Sequence, residues 1–120
     1  MLGKISSVKT LRENSVPKVG ENTVTGKSGT AYHLNVYTKD MQFNDFIPGV
    51  YVISEVSDDG ERCIFVGETD NIHPLLKGHP SQTDLDAENY NRISFHMNAS
   101  RKKREMIVAD LTSVLKPVCN

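Results

Sequence analysis

Two apolar runs, Pro48-Gly49-Val50-Tyr51-Val52-Ile53 and Cys63-Ile64-Phe65-Val66-Gly67, flank the polar turn residues Ser57-Asp58-Asp59-Gly60, and this pairing constrains the fold more than any other feature. β-Branched and aromatic residues bounded by Ser, Asp and Gly read as strands that meet at a tight turn. A hairpin is expected, with one strand over residues 49–55 and its return over residues 62–66.

Upstream, residues 22–25 and 31–38 have the same strand character, and Gly26-Lys27-Ser28-Gly29 between them is turn chemistry. Tyr32, Leu34 and Val36 alternate with His33, Asn35 and Tyr37, the pattern of a half-buried strand. Residues 92–97 alternate likewise, with Ile93, Phe95 and Met97 on one side. A short helix is expected after Asp70 or Asn71, with Pro74 in its first turn and Gly78 as its stop. One helical turn is expected after Thr83. Ser100 caps the longest helix, whose stripe of Ile107, Leu111, Val114 and Leu115 ends at Lys116-Pro117. Residues 1–20 show weak periodicity and are expected to be irregular or an edge strand.

This order predicts a small α+β domain, with a mixed or antiparallel sheet flanked by helices. The 120 residues suit a single domain that buries roughly two-thirds of its unfolded surface without metal or disulfide staples. Lys+Arg at 14 and Asp+Glu at 15 give a net charge of −1, so any nucleic-acid contact must be local. With neither a signal-peptide pattern nor a membrane-length apolar run, the expected location is the cytoplasm, with no membrane partner. Cys63 and Cys119 have no CxxC spacing; they read as two reduced thiols, with a bridge between them as the alternative.

The runs containing Gly49-Val50-Tyr51 and Phe65-Val66-Gly67, followed by Glu68-Thr69-Asp70-Asn71 and closed by Pro117-Val118-Cys119-Asn120, resemble the GIY-YIG endonuclease superfamily. The ending Leu115-Lys116-Pro117-Val118-Cys119-Asn120 is similar to the close of small bacterial members. The resemblance covers about residues 48–120 and makes residues 1–47 an N-terminal extension with an added hairpin. It implies half-motifs on neighbouring strands, a following helix with a basic residue, and a later helix with a metal-binding glutamate. Gly49, Tyr51, Phe65, Gly67, Leu75, Val108 and Asn120 are the motif-equivalent positions.

Family chemistry needs an activated water or tyrosinate, a divalent cation at the leaving oxygen and a guanidinium at the pentacovalent phosphate. Tyr51 and Asn120 match family positions. Phe65 has no ring hydroxyl where the second tyrosine is expected; Leu75 stands at the arginine position and Val108 at the glutamate position. A valine side chain cannot ligate a hard cation, which takes oxygen donors. Glu105 is the nearest substitute, displaced by about 4.5 Å along the helix and about 60° around it, and Asp110 lies on another face.

The resemblance therefore implies a degenerate member that has lost cleavage and needs no cofactor, acting by binding nucleic acid or a protein. The alternative is an active Mg2+-dependent endonuclease with Tyr51 as base, Glu105 as displaced carboxylate, Asn120 in its family role, and Arg101 or Lys77 at the phosphate. For nucleic acid the candidates are Lys77 and the run Arg101-Lys102-Lys103-Arg104, which would otherwise be a solvated helix face. Gly26-Lys27-Ser28 resembles the end of a phosphate loop, but Glu21 replaces the required glycine and a strand follows, so it reads as a hairpin turn. His33, His73 and His96 lack ligand spacing; His79 follows the first expected helix, where the resemblance implies a frequent family histidine, with a solvated loop histidine as the alternative.

Overall fold

β1 (Gly20–Thr25) pairs with β2 (Ala31–Thr38), and β3 (Gly49–Ser57) pairs with β4 (Gly60–Thr69). β5 (Arg92–Met97) lies between β2 and β3, antiparallel to both, and unites the hairpins in one five-stranded sheet of order β1-β2-β5-β3-β4. The computed structural model describes residues 18–39, 46–72 and 82–120. Among the described residues two helices, α1 (Gln82–Ala87) and α2 (Arg101–Leu115), join the sheet in an α+β fold. The helix expected from residue 71 to Gly78 and the segment before Lys18 fall largely outside the described residues. Among the described residues no helix is long and apolar enough to cross a membrane.

Strand alternation divides the core in two. Tyr51, Ile53, Ile93 and Phe95 project to one face and cluster with Ile64, Ile72, Leu85 and Tyr90. Val50 and Val52 project to the other, where Leu34, Val66, Ile107 and Leu111 join them under α2. Because β3 is flanked by strands and covered on both faces, residues 49–54 are all buried. The pairing slips between Ile53 and Ser54, which face Phe65 and Cys63 respectively, so Ile64 is the extra residue of a bulge. Ile64 and Phe65 consequently both reach the first cluster.

β4 is an edge strand, and the chain's own tail covers part of its free edge. The amides of Val118 and Cys119 donate to the carbonyls of Cys63 and Ile64, at 3.4 and 2.9 Å. The Asn120 side-chain amide completes the row: it accepts from Val66 N–H at 2.8 Å and donates to Val66 C=O at 2.7 Å. A carboxamide has one acceptor and one donor arm, as a peptide does, so it satisfies both main-chain groups that an uncovered edge would leave open to another chain.

The ends of α2 follow the sequence. Ser100 adopts an extended conformation and its hydroxyl accepts from Lys103 N–H at 3.2 Å. Lys116 takes the left-handed conformation at φ 49, its N–H reaching Thr112 C=O, and Pro117 follows. The inward stripe differs from the expected one: Val114 is 41% exposed, whereas Arg104 is buried with Ile107 and Leu111. Positions 104, 107 and 111 are spaced by three and four, so they share a helix face.

The Gly26-Lys27-Ser28-Gly29 turn is bound to the middle of α2. Asp110 accepts from Ser28 N–H at 2.7 Å, from the Ser28 hydroxyl at 2.6 Å and from the Tyr32 hydroxyl at 2.7 Å. These bonds, led by that from the Ser28 hydroxyl, hold the Asp110 carboxyl below its ordinary value of 3.8. A lowered folded value means that the clamp contributes stability above the ordinary value and loses it as pH falls through the lowered one. The protection of the Ser28 amide, its exchange rate relative to that of an unstructured chain at the same pH, is therefore expected to hold at neutral pH and to fall only below the usual carboxylate range. Asp110→Ala should show little protection at either pH.

Candidate functional site

The segments 49–51 and 65–67 lie side by side, as Tyr51 faces Gly67 directly across the β3–β4 ladder. A glycine is required there by close approach: a Cβ at Gly67 would sit 2.5 Å from Tyr51 Oη and 2.6 Å from its Cζ. The Tyr51 ring occupies that space and stacks on Phe65, with centroids 5.9 Å apart and planes at 19°. At Gly49 a Cβ would lie 2.4 Å from the His96 carbonyl oxygen and 2.5 Å from the Phe95 ring. Both glycines admit aromatic rings against the sheet, which is a packing requirement of this fold.

Tyr51 is 5% exposed. Burial, reinforced by the negative charge of Glu68, pushes its hydroxyl up to about 12. At pH 7 roughly one molecule in 100,000 would hold a tyrosinate, so Tyr51 is poorly matched to the role of a base at neutral pH.

The later helix is on the far side of the sheet from this ring. Val108 packs at the margin of the cluster containing Val50 and Val52, the face opposite the one Tyr51 enters. Its side chain fills the space between helix and sheet with hydrocarbon. Glu105 points to solvent, its side chain 58% exposed, and pairs with Arg101 at 3.4 Å. Asn120 is committed through its amide to the Val66 main chain. Leu75, Lys77, His73 and His79 lie outside the described residues. Among the described residues no group of three His, Cys, Asp or Glu side chains converges in a way that could hold a metal. The residues at these positions do not fit the cation that the family resemblance implies.

The basic run divides by burial. Arg101, Lys102 and Lys103 are exposed over the first turn of α2, where main-chain amides point outward and the helix dipole adds positive potential. Arg104, expected to share that face, turns inward instead and is only 1% exposed. Its Nε donates to Glu68 at 2.8 Å, its Nη1 to the carbonyls of Asn98 and Ala99 at 3.1 Å each, and its Nη2 to Asp70. The bond to Glu68 is the chief reason the guanidinium is held above its ordinary value. Arg104 thus joins the start of α2 to the end of β4 and has no free face for a solvent-borne anion. Its helical spacing to Ile107 and Leu111, with carboxylates at Glu68 and Asp70 after the half-motif, is the sequence signal for this role.

The remaining candidates are structural or superficial. His33 pairs with Glu21 at 2.9 Å, and a His96 ring nitrogen lies 2.9 Å from the His33 carbonyl. Cys63 and Cys119 are free thiols. Cys63 packs on the α2 side of the sheet and Cys119 on the opposite side. Burial, then the charge of Glu61, pushes the Cys63 thiol up to about 11, so it stays protonated and weakly nucleophilic at neutral pH. Comparisons with protein-family models, curated proteins and solved structures return no match to this chain.

Proposed function

We propose that this chain is a nucleic-acid-binding module on a GIY-YIG-like scaffold that no longer cleaves phosphodiesters. The observation that carries this reading is the separation of the groups cleavage would need. Tyr51 is buried against Phe65 and Gly67 on one face of the sheet, while Val108 and Glu105 belong to the helix on the other.

The binding half of the proposal rests on Arg101, Lys102 and Lys103. Three exposed cations share one helix N-terminus, where the outward amides reinforce their attraction for phosphate. The shape of the contact is local, in keeping with the net charge of −1. A site of this kind reads backbone charge, so binding with little sequence preference is expected.

Fluorescence anisotropy with labelled single- and double-stranded oligonucleotides tests this directly. Binding should appear at low ionic strength and weaken as salt rises. Changing Arg101, Lys102 and Lys103 together to Gln should flatten the log–log salt dependence for duplex by about 0.9 for each phosphate that the protein no longer neutralises. Plasmid incubated with Mg2+ should remain supercoiled. Nicking that disappears in Glu105→Ala would establish the active-endonuclease reading, and absence of binding to every oligonucleotide at low salt would favour a protein partner.

A further inference from the structure

At the other end of α2 a cavity of about 430 Å3 opens between the last helical turn and the sheet. That volume lies within the range of small-molecule sites and has room for about a dozen heavy atoms. Leu34, Val52 and Val114 supply hydrocarbon, while Ser54, Ser94 and Glu61 supply polar atoms.

Two of those polar residues are deeply buried, Ser54 at 1% and Ser94 at 4% exposure. The Ser54 hydroxyl donates to Glu61 Oε2 at 2.9 Å, leaving its oxygen lone pairs available to accept. The Ser94 hydroxyl has no hydrogen-bond partner among the described residues, although it lines the cavity. Buried hydroxyls are nearly always partnered, so a group aimed into a cavity without one points to something that enters.

The surrounding charge selects the kind of group. The Glu61 carboxylate stands beside Ser54, and the C-terminal carbonyls of α2 place the negative end of the helix dipole at the cavity. Arg62, though near, directs its guanidinium to Glu55 and Glu88 at 2.8 Å each. Lys116 Nζ lies 3.5 Å from the Ser113 carbonyl. An entering donor with positive charge matches the open lone pairs and the carboxylate.

We propose that this cavity binds a small aliphatic primary amine, its ammonium donating to the Ser54 and Ser94 hydroxyls beside Glu61 and its chain lying against Leu34, Val52 and Val114. The site is independent of the basic residues at the start of α2.

Hexylammonium, 1-hexanol and hexanoate, titrated separately into the full chain at millimolar concentration and followed by amide chemical shifts, test the proposal. Hexylammonium should give saturable shifts at Ser54, Ser94 and Val114, hexanol weaker binding, and hexanoate none. Ser94→Ala should weaken hexylammonium binding roughly 3- to 10-fold, and Glu61→Gln should bring hexylammonium and hexanol to similar affinities. The ranking of the three probes is read on the unaltered chain and does not depend on how a variant folds. Equal binding of hexanoate, absence of saturable shifts, or unchanged affinity in Ser94→Ala would overturn the proposal.

Discussion

Replacing Arg104 with Ala is expected to lower folding stability by about 3 kcal/mol, the lower end of the cost of breaking a buried ion pair. The lower end applies because Asp70 is 81% exposed and solvent screens its share, whereas Glu68 is only 23% exposed. The loss also includes the two carbonyls of Asn98 and Ala99, which would no longer receive the guanidinium. Urea denaturation would register it as a lower midpoint, while Lys102→Ala on the exposed side of the same turn should change stability by less than about 0.5 kcal/mol. Arg104→Lys should recover only part of the loss, because one ammonium cannot repeat a fork that reaches two carboxylates and two carbonyls. An Arg104→Ala chain as stable as the parent but weaker for oligonucleotides would return this residue to the binding surface.

The second large effect is expected at Gly67. A methyl group there meets the Tyr51 ring at 2.5 to 2.6 Å, so Gly67→Ala must displace the ring or strand β4. Such overpacking costs about 1–3 kcal/mol. Tyr51→Ala should itself be costly, by about 3 kcal/mol or more. In the double variant the alanine at position 67 should cost less than it does alone, because the two Tyr51 atoms it struck are gone and only the Phe65 Cε2 contact at 2.8 Å remains. The resulting coupling in a double-mutant cycle identifies ring contact as the cause. Additive losses would place the Tyr51 ring elsewhere in solution.

Local chemistry made several elements legible. The Gly49–Ser57 and Gly60–Thr69 hairpin follows from strand-forming runs around a Ser-Asp-Asp-Gly turn, and the limits of Arg101–Leu115 follow from the Ser100 cap and Pro117. Val114 departs from the expected stripe because periodicity reports which residues share a face but not how far the sheet extends beneath it. The helix's last turn overhangs the cavity, leaving Val114 41% exposed. Arg104 departs in the opposite direction: a cation within Arg101-Lys102-Lys103-Arg104 reads as solvated unless its distant carboxylates are known to lie alongside.

The same limit applies to the candidate site. Tyr51 and Val108 could be aligned to motif positions from their spacing, yet spacing is silent on which face of a sheet a helix covers. Ser94 carried no signal at all, being one polar member of an alternating strand. Its unpartnered hydroxyl is visible only once Val52 and Val36 flank it and α2 ends above it.

By itself the chain's order of residues determined its strands, its turns and the two ends of its long helix, because these depend on interactions among neighbours a few positions apart. Tertiary structure alone decided that β5 enters between β2 and β3, that α2 lies across the sheet from Tyr51, and that Arg104 closes on Glu68 and Asp70. Those outcomes depend on which distant segments bury their apolar faces together, and burial then determines whether a tyrosine titrates, a valine packs or an arginine meets solvent.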